Sequence, residues 1–103
     1  MAGDRLPWTP RAANAGDNFE PLKTLSWQLH VYGDATPEIR TLCGTRRLPM
    51  YTFEWRRDMR RRGLRRNALY LVRPDGYLAF VDERQDAALL AAYLDARRIA
   101  AAS

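Results

Sequence analysis

Few residues of this 103-residue chain combine the types and spacing that enzymatic chemistry requires. Cys43 is the single cysteine and His30 the single histidine, so the chain offers neither a Cys-x-x-Cys redox pair nor a Cys/His zinc site. His30 would act as a general base only beside a nucleophile, and the serines are Ser26 and the terminal Ser103. We expect structural roles for both, with Cys43 as a buried, inert thiol. The enzymatic alternative, a one-cysteine peroxidase or glutathione-linked protein, would need Cys43 to have a low pKa.

The remaining polar residues do not complete a site either. Carboxylates such as Glu54, Asp58, Asp82 and Glu83 show no pairing that sequence can fix in space, so solvated positions or helix caps are expected. The glycines form neither a GxGxxG motif nor a phosphate loop. We therefore predict no catalytic, cofactor-binding or metal-binding residue in this chain.

The run from Arg56 to Arg66 contains seven arginines and is the feature that would specify a charged partner. The formal net charge of +5 and a pI near 10.0 raise nucleic acid as that partner. Nucleic-acid modules add a groove-sized helix or exposed aromatics to such a run, whereas Tyr51, Phe53 and Trp55 alternate as core strand residues do. A solvated face, or contact with an acidic protein surface, is the favoured interpretation. A small nucleic-acid-binding protein using this run is the alternative function.

The elements that position these residues begin with a strand. Residues 25–32 alternate apolar and polar side chains, which predicts a strand with one apolar face. Thr36 as N-cap and Pro37 at the first helical position then predict a helix, and Gly44 is expected to end it. Cys43 falls on the apolar stripe of that helix.

The second half of the sequence predicts the remaining strands and helices. Residues 48–55 predict another strand, and the arginine-rich residues that follow predict a helical turn or a charged loop. The apolar runs 68–73 and 77–81 flank a Pro-Asp-Gly turn, which predicts an antiparallel hairpin. Apolar residues at helical spacing then predict a C-terminal helix, with Asp82 and Gln85 as a capping box.

The order of elements predicts the fold class. Residues 1–24, rich in turn formers, are expected to be an extended N-terminal arm, with Leu6 and Trp8 among the residues that would hold it to the core. Residues 25–103 then read β-α-β-α-β-β-α. A right-handed parallel crossover followed by a hairpin predicts an α/β, thioredoxin-like fold with a central mixed four-stranded sheet flanked by helices.

Length and composition limit the remaining possibilities. At 11.9 kDa the chain fits one domain, and 47% hydrophobic with 28% charged residues is the balance of a folded protein. No apolar stretch reaches the roughly 18 to 20 residues that a membrane span needs, and residues 1–8 have no signal-peptide core. We expect a cytoplasmic protein.

Several segments resemble the C-terminal domain of FAD-dependent aromatic-ring hydroxylases, the group A flavoprotein monooxygenases of the phenol hydroxylase and polyketide hydroxylase type. The most specific is YLVRPDGYLAF at 70–80, whose hairpin turn is formed by Arg73, Pro74, Asp75 and Gly76. GDRLPW at 3–8, DNFEPLKTLSWQLHVYG at 17–33 and LPMYTFEW at 48–55 add to the resemblance. The hairpin segment lies within a longer similar stretch, RNALYLVRPDGYLAFVDERQDAALLAAYL at 66–94, so the resemblance runs from residue 3 to residue 94 with unmatched stretches between the segments.

The resemblance implies a function. In that family the domain is thioredoxin-like, lacks redox cysteines, follows the FAD-binding and substrate-binding parts, and in several members contributes to subunit contacts. It implies a non-catalytic domain, or a stand-alone relative, that packs against a flavin-binding monooxygenase domain in cis or trans or forms a homodimer. FAD and NAD(P)H would belong to that parent enzyme. Apolar sheet and helix faces would supply the interface, with Trp8, Trp55 and Tyr77 as candidate anchors.

Overall fold

The computed structural model describes residues 3–7 and 26–97, and its elements follow the predicted order. They are β1 Gln28–Tyr32, α1 Pro37–Arg46, β2 Met50–Phe53, α2 Arg57–Arg61, β3 Leu69–Val72, β4 Leu78–Asp82 and α3 Ala87–Ala96. No helix in the described ranges has the length and apolarity that a membrane span requires. The strands and helices in this order confirm the predicted α/β class.

The strands form one mixed four-stranded sheet in the order β2-β1-β3-β4. β1 pairs in parallel with β2, with Leu29 opposite Met50, and antiparallel with β3, with Leu29 opposite Leu71. Helix α1 makes the crossover between the parallel strands, as a parallel connection requires. The predicted hairpin is confirmed, because β3 and β4 pair antiparallel.

Each face of the sheet is buried against helices or loops of the chain itself. On one face Leu29 and Leu71 pack with Ile39 of α1 and with Leu90 and Leu94 of α3. The opposite face is richer in aromatic rings. Its buried cluster is made of Leu6, Tyr32, Phe53, Met59, Leu64, Ala68, Tyr70, Val72 and Leu78. The prediction that Tyr51, Phe53 and Trp55 share a core face is confirmed, since Tyr51 and Trp55 pack against this cluster.

Strand β1 differs from the simple alternation predicted for it. All five of its residues are buried, including Gln28 and His30 on the face that the pattern marked as polar. Those polar groups bond to one another, which lowers the cost of removing them from water. Burial on both faces is typical of a central strand.

Two predicted helix ends are wrong, and both have a local physical reason. Gly44 does not stop α1; the helix continues to Arg46, and Arg47 ends it in the left-handed conformation at φ 56°. The capping box of Asp82 and Gln85 does not form. Asp86 instead caps α3, its side chain accepting a hydrogen bond from the Leu89 amide at 3.1 Å.

The N-terminal segment that the structure describes is attached to the hairpin. The amides of Gly3 and Leu6 donate to the carbonyls of Leu78 and Gly76 at 2.7 and 3.0 Å, and the Leu78 amide donates to Asp4. Leu6 is 2% exposed, so its predicted role in holding this segment to the core is confirmed. Residues 8–25, which include Trp8 and most of the expected arm, lie outside the described residues.

Candidate functional site

The loop between β1 and α1 is the place where the predicted topology would put a redox pair, at the amino end of a helix. Here it consists of residues 33–36, Gly-Asp-Ala-Thr, and it contacts Asn67, which lies just before β3. The Asn67 side-chain oxygen accepts a hydrogen bond from the Asp34 amide at 2.7 Å, and the Asn67 amide donates to the Tyr32 carbonyl at 2.9 Å. Asn67 therefore joins the end of β1 to the start of β3.

Gln85, in the loop after β4, completes this arrangement. Its side-chain oxygen accepts a hydrogen bond from the Thr36 amide at 2.8 Å. Its side-chain nitrogen donates to the carbonyls of Asp34 and Asn67 at 2.7 and 2.6 Å. We call Asn67 and Gln85 the amide pair. Together they tie three separate loops to one another.

Local backbone geometry places both members of the amide pair. Asn67 and Gln85 have φ values of 62° and 53°, in the left-handed region that asparagine tolerates better than most residues. Before Gln85, Asp82 shapes the loop, because its two carboxylate oxygens accept the amides of Arg84 and Asp86 at 2.9 and 2.8 Å. The loop after β4 thus aims Gln85 at the end of β1.

The amide pair fills the space beside the loop. A side-chain carbon added at Gly33 would lie 2.1 Å from the Asn67 side-chain oxygen, and Gly33 itself has a φ of 132°. Amide groups neither titrate near neutral pH nor attack carbonyls or phosphates. The arrangement orders the backbone and supplies no nucleophile. Sequence reasoning assigned Gln85 to a capping box and gave Asn67 no role, because the actual partners lie 18 to 51 residues away.

Cys43 lies well away from that loop in sequence and is buried in the core. It is 4% exposed and packs on the α1 and α3 side of the sheet. Burial raises the pKa of the Cys43 thiol from 9.0 to about 11. At neutral pH the thiolate, which is the reactive form, is therefore scarcer than in a free cysteine. This confirms the expected buried thiol and opposes the peroxidase alternative.

His30 is fully buried in β1 and belongs to a short polar chain. Its Nε2 lies 2.6 Å from Oε1 of Gln28, and its Nδ1 lies 3.0 Å from the Tyr32 hydroxyl. Since an amide oxygen only accepts, Nε2 is assigned the proton in the contact with Gln28. The ring also packs against Phe53 with centroids 5.1 Å apart. These contacts support the expected structural role.

The hairpin turn carries the sequence motif and is held by local bonds. The Gly76 amide donates to the Arg73 carbonyl at 2.9 Å, and Gly76 adopts a φ of 87° that suits glycine. Asp75 accepts from the Arg73 guanidinium at 2.6 Å and from the Tyr77 amide at 3.2 Å. Pro74 occupies the position after Arg73, where its fixed φ favours a turn.

The candidate interface anchors lie in different environments. Tyr77 is 37% exposed, and the guanidinium groups of Arg5 and Arg73 lie 5.5 and 5.9 Å from its ring centre. Trp55 is half-buried against the aromatic core cluster. Trp8 lies outside the described residues. Tyr77 and Leu89 are the exposed large hydrophobic residues within the described ranges, so Tyr77 is the more accessible of the two anchor candidates that the structure describes.

The arginine run forms α2 and the loop after it. The predicted helical turn is confirmed over Arg57–Arg61. Met59 and Leu64 are 1% and 0% exposed, and they fix this segment to the aromatic core cluster. The Arg65 amide also donates to the buried Tyr70 hydroxyl at 2.6 Å. The segment is therefore an ordered part of the fold.

The described residues contain no group of three or more histidine, cysteine or carboxylate side chains that could hold a metal ion. No protein-family model, curated protein or solved structure matches this chain.

Proposed function

We propose that this chain is a non-catalytic, thioredoxin-like domain of the kind that follows the FAD-binding and substrate-binding parts of aromatic-ring hydroxylases. In this proposal it works in the cytoplasm and contributes structural stabilisation or subunit contacts, in cis or in trans, to a flavin-binding partner. The FAD and NAD(P)H of the reaction belong to that partner.

The sheet supports the proposal at the level of topology. The strand order β2-β1-β3-β4, with one parallel pair and two antiparallel pairs, agrees with a thioredoxin-like arrangement. The YLVRPDGYLAF segment that carries the family resemblance coincides with the β3–β4 hairpin. Because fold does not determine function, the functional part of the proposal rests on the residues at the loop between β1 and α1.

The amide pair is the observation that carries the proposal. At the loop where a redox domain would hold a reactive thiol, Asn67 and Gln85 form four hydrogen bonds to backbone groups. The thiol of the chain is instead Cys43, which is buried in α1. A domain whose loop is occupied by structural amides is suited to holding shape and to contacting a partner.

The catalytic part of the proposal is tested with the isolated chain. The purified protein is incubated with FAD, passed over a desalting column and examined for flavin absorbance, and NAD(P)H oxidation is then followed with phenol as substrate. We expect no retained flavin and no oxidation above the rate of free FAD. Retained flavin or turnover by the chain alone would contradict the non-catalytic role.

The contact part is tested by sedimentation velocity over a concentration series. If the chain forms a homodimer through the hairpin turn, Tyr77→Ser weakens the dimer by about tenfold, as loss of an aromatic anchor does. Leu89→Ser is the matched control, because Leu89 is the other exposed large hydrophobic residue described and lies on α3. Equal effects of the two changes would remove Tyr77 as an anchor.

A further inference from the structure

The charge of the molecule is concentrated in one short segment. Residues 56–66 hold seven of the 17 basic residues and a single one of the 12 acidic residues, Asp58. This segment therefore carries a formal charge of +6, and the other 92 residues together carry −1. A compositional bias toward arginine would spread charge along the chain, so the bias does not account for this distribution.

The structure divides these seven arginines into two groups. Asp58 neutralises part of the charge, because it lies 3.2 Å from Nε of Arg62 and 3.5 Å from Nε of Arg56. Burial opposes ionisation of Asp58, but the Arg62 hydrogen bond and the neighbouring charges outweigh it and lower its pKa. Asp58 therefore stays charged, and it pairs with Arg56 and Arg62 rather than with the other five arginines of the segment.

The second group is the arginine surface, which consists of Arg57, Arg60, Arg61, Arg65 and Arg66. All five are exposed, and within the described parts of the chain none of them forms an ion pair. Arg57, Arg60 and Arg61 are spaced i, i+3 and i+4 along α2, so they share one side of that helix. Arg65 and Arg66 lie further along the chain, in the loop before β3.

The arginine surface is held in place by the core beneath it. Met59 and Leu64 are buried under α2, and the Tyr70 hydroxyl fixes the Arg65 amide. A partner that binds these arginines therefore meets a largely ordered backbone. Binding then costs less conformational entropy than binding to a disordered basic tail would.

From the charge concentration and the unpaired, ordered arginines, we propose that the arginine surface docks an acidic protein surface, one that presents several aspartate or glutamate side chains. Guanidinium groups bind carboxylates through paired parallel hydrogen bonds, which suits an all-arginine surface. The structure favours protein over nucleic acid. α2 has five residues, about 7.5 Å in length, which is too short to follow a groove. The exposed large hydrophobic residues described, Tyr77 and Leu89, lie in other elements, and Trp55 beside the run is half-buried against the core, so within the described residues this surface presents no fully exposed ring for stacking bases.

The proposal depends on the charge distribution and on the ordered, exposed arginines, and it holds whether or not the chain belongs beside a flavoprotein. The test is fluorescence anisotropy with three probes that carry equal numbers of negative charges. These are a labelled glutamate- and aspartate-rich peptide, a single-stranded oligonucleotide and a duplex, each measured at low and at physiological salt. We expect the peptide to bind more tightly than either nucleic acid, with affinity that falls as salt rises.

Two triple variants test the arginine surface: one changes residues of the surface, and the other is a control that changes arginines elsewhere. Arg57→Gln, Arg60→Gln and Arg61→Gln together remove three charges from the arginine surface, and we expect peptide affinity to fall about tenfold or more. Arg40→Gln, Arg47→Gln and Arg84→Gln remove three charges from exposed arginines elsewhere, and we expect a change of about twofold or less. Because all six side chains are exposed, both variants should keep the native circular dichroism spectrum.

Three outcomes would overturn the proposal. Equal weakening in the two triple variants would mean that net charge alone attracts the peptide. Tighter binding of either oligonucleotide would assign the surface to nucleic acid instead. No peptide binding at low salt would mean that the arginines are simply solvated.

Discussion

The two ends of the sheet are held together in different ways. At the loop end, where β1 runs into α1, the amide pair connects residues that are 18 to 51 positions apart in sequence. At the turn end, where β3 runs into β4, Arg73, Asp75 and Tyr77 bond to neighbours two to four positions away. The bonds that shape the turn itself are therefore local, although its far side also pairs with residues 3–6, whereas the loop end exists only once the whole domain has folded.

The comparison predicts that damage at the loop end costs more stability than damage at the turn end. The first test is Gly33→Ala, which would place a carbon against the Asn67 side chain and strain the backbone at φ 132°. We expect the free energy of unfolding to fall by about 2–5 kcal/mol from overpacking and strain, measured by urea denaturation. Adding Asn67→Ala removes the clash, so the double variant should lose less than the sum of the two single losses. Additive losses would contradict this account.

Gln85→Ala is the second test, because it removes three hydrogen bonds at the loop end and leaves the backbone conformation equally demanding. We expect a loss of about 1–3 kcal/mol. Gln85→Glu is the sharper control. A carboxylate can still accept from Thr36, but it repels the carbonyls of Asp34 and Asn67, so at neutral pH it should destabilise at least as much as alanine. A neutral effect of the glutamate would show that the two donated bonds contribute nothing.

The third test asks whether the thiol of Cys43 is buried and therefore unreactive. Because the folded pKa of Cys43 is raised from 9.0 to about 11, the unfolded chain releases this proton first as pH rises. Stability from the buried thiol is complete below pH 9 and falls by about 2 kcal/mol between about pH 9 and pH 11. Cys43→Ala should flatten that part of the curve of unfolding free energy against pH. Parallel curves for the two proteins would place the thiol in contact with solvent.

The smallest effect is expected at the turn end. Asp75→Ala removes a surface ion pair and one backbone hydrogen bond, both within the turn. Arg73 and Asp75 are each 48% exposed at the side chain, so the loss should stay below about 1 kcal/mol. The measurement is the shift of the thermal midpoint relative to Gln85→Ala. A larger shift for Asp75→Ala would reverse the comparison.

The same difference explains what the sequence predicts and what it does not. The hairpin follows from Pro74, Asp75 and Gly76, because turn preference is a property of neighbouring residues. The end of α1 does not, since Arg47 adopts the left-handed conformation that Gly44 was expected to supply. No local sequence pattern predicts the roles of the Asn67 and Gln85 side-chain amides. Their hydrogen-bond partners are distant in sequence and meet them only in the folded domain.

Burial is likewise predictable on one face of β1 and not on the other. The apolar side chains of Leu29 and Val31 are sufficient to predict a core face. His30 and Gln28 are buried with their polar atoms 2.6 Å apart, a contact between side chains that apolar alternation does not predict. Of the functional candidates, Tyr77 is exposed as an anchor should be, whereas Trp55 is partly covered by the core.

The strand-like pairing of residues 3–6 with the start of β4 has a consequence for self-association. The outer strand of a sheet carries free amides and carbonyls that another copy of the chain can capture, which is a common start of aggregation. Here the Leu78 amide and the carbonyls of Gly76 and Leu78 already bond to Gly3, Asp4 and Leu6. Deleting these few residues would expose that edge and remove Leu6 from the core, so it should favour precipitation on heating.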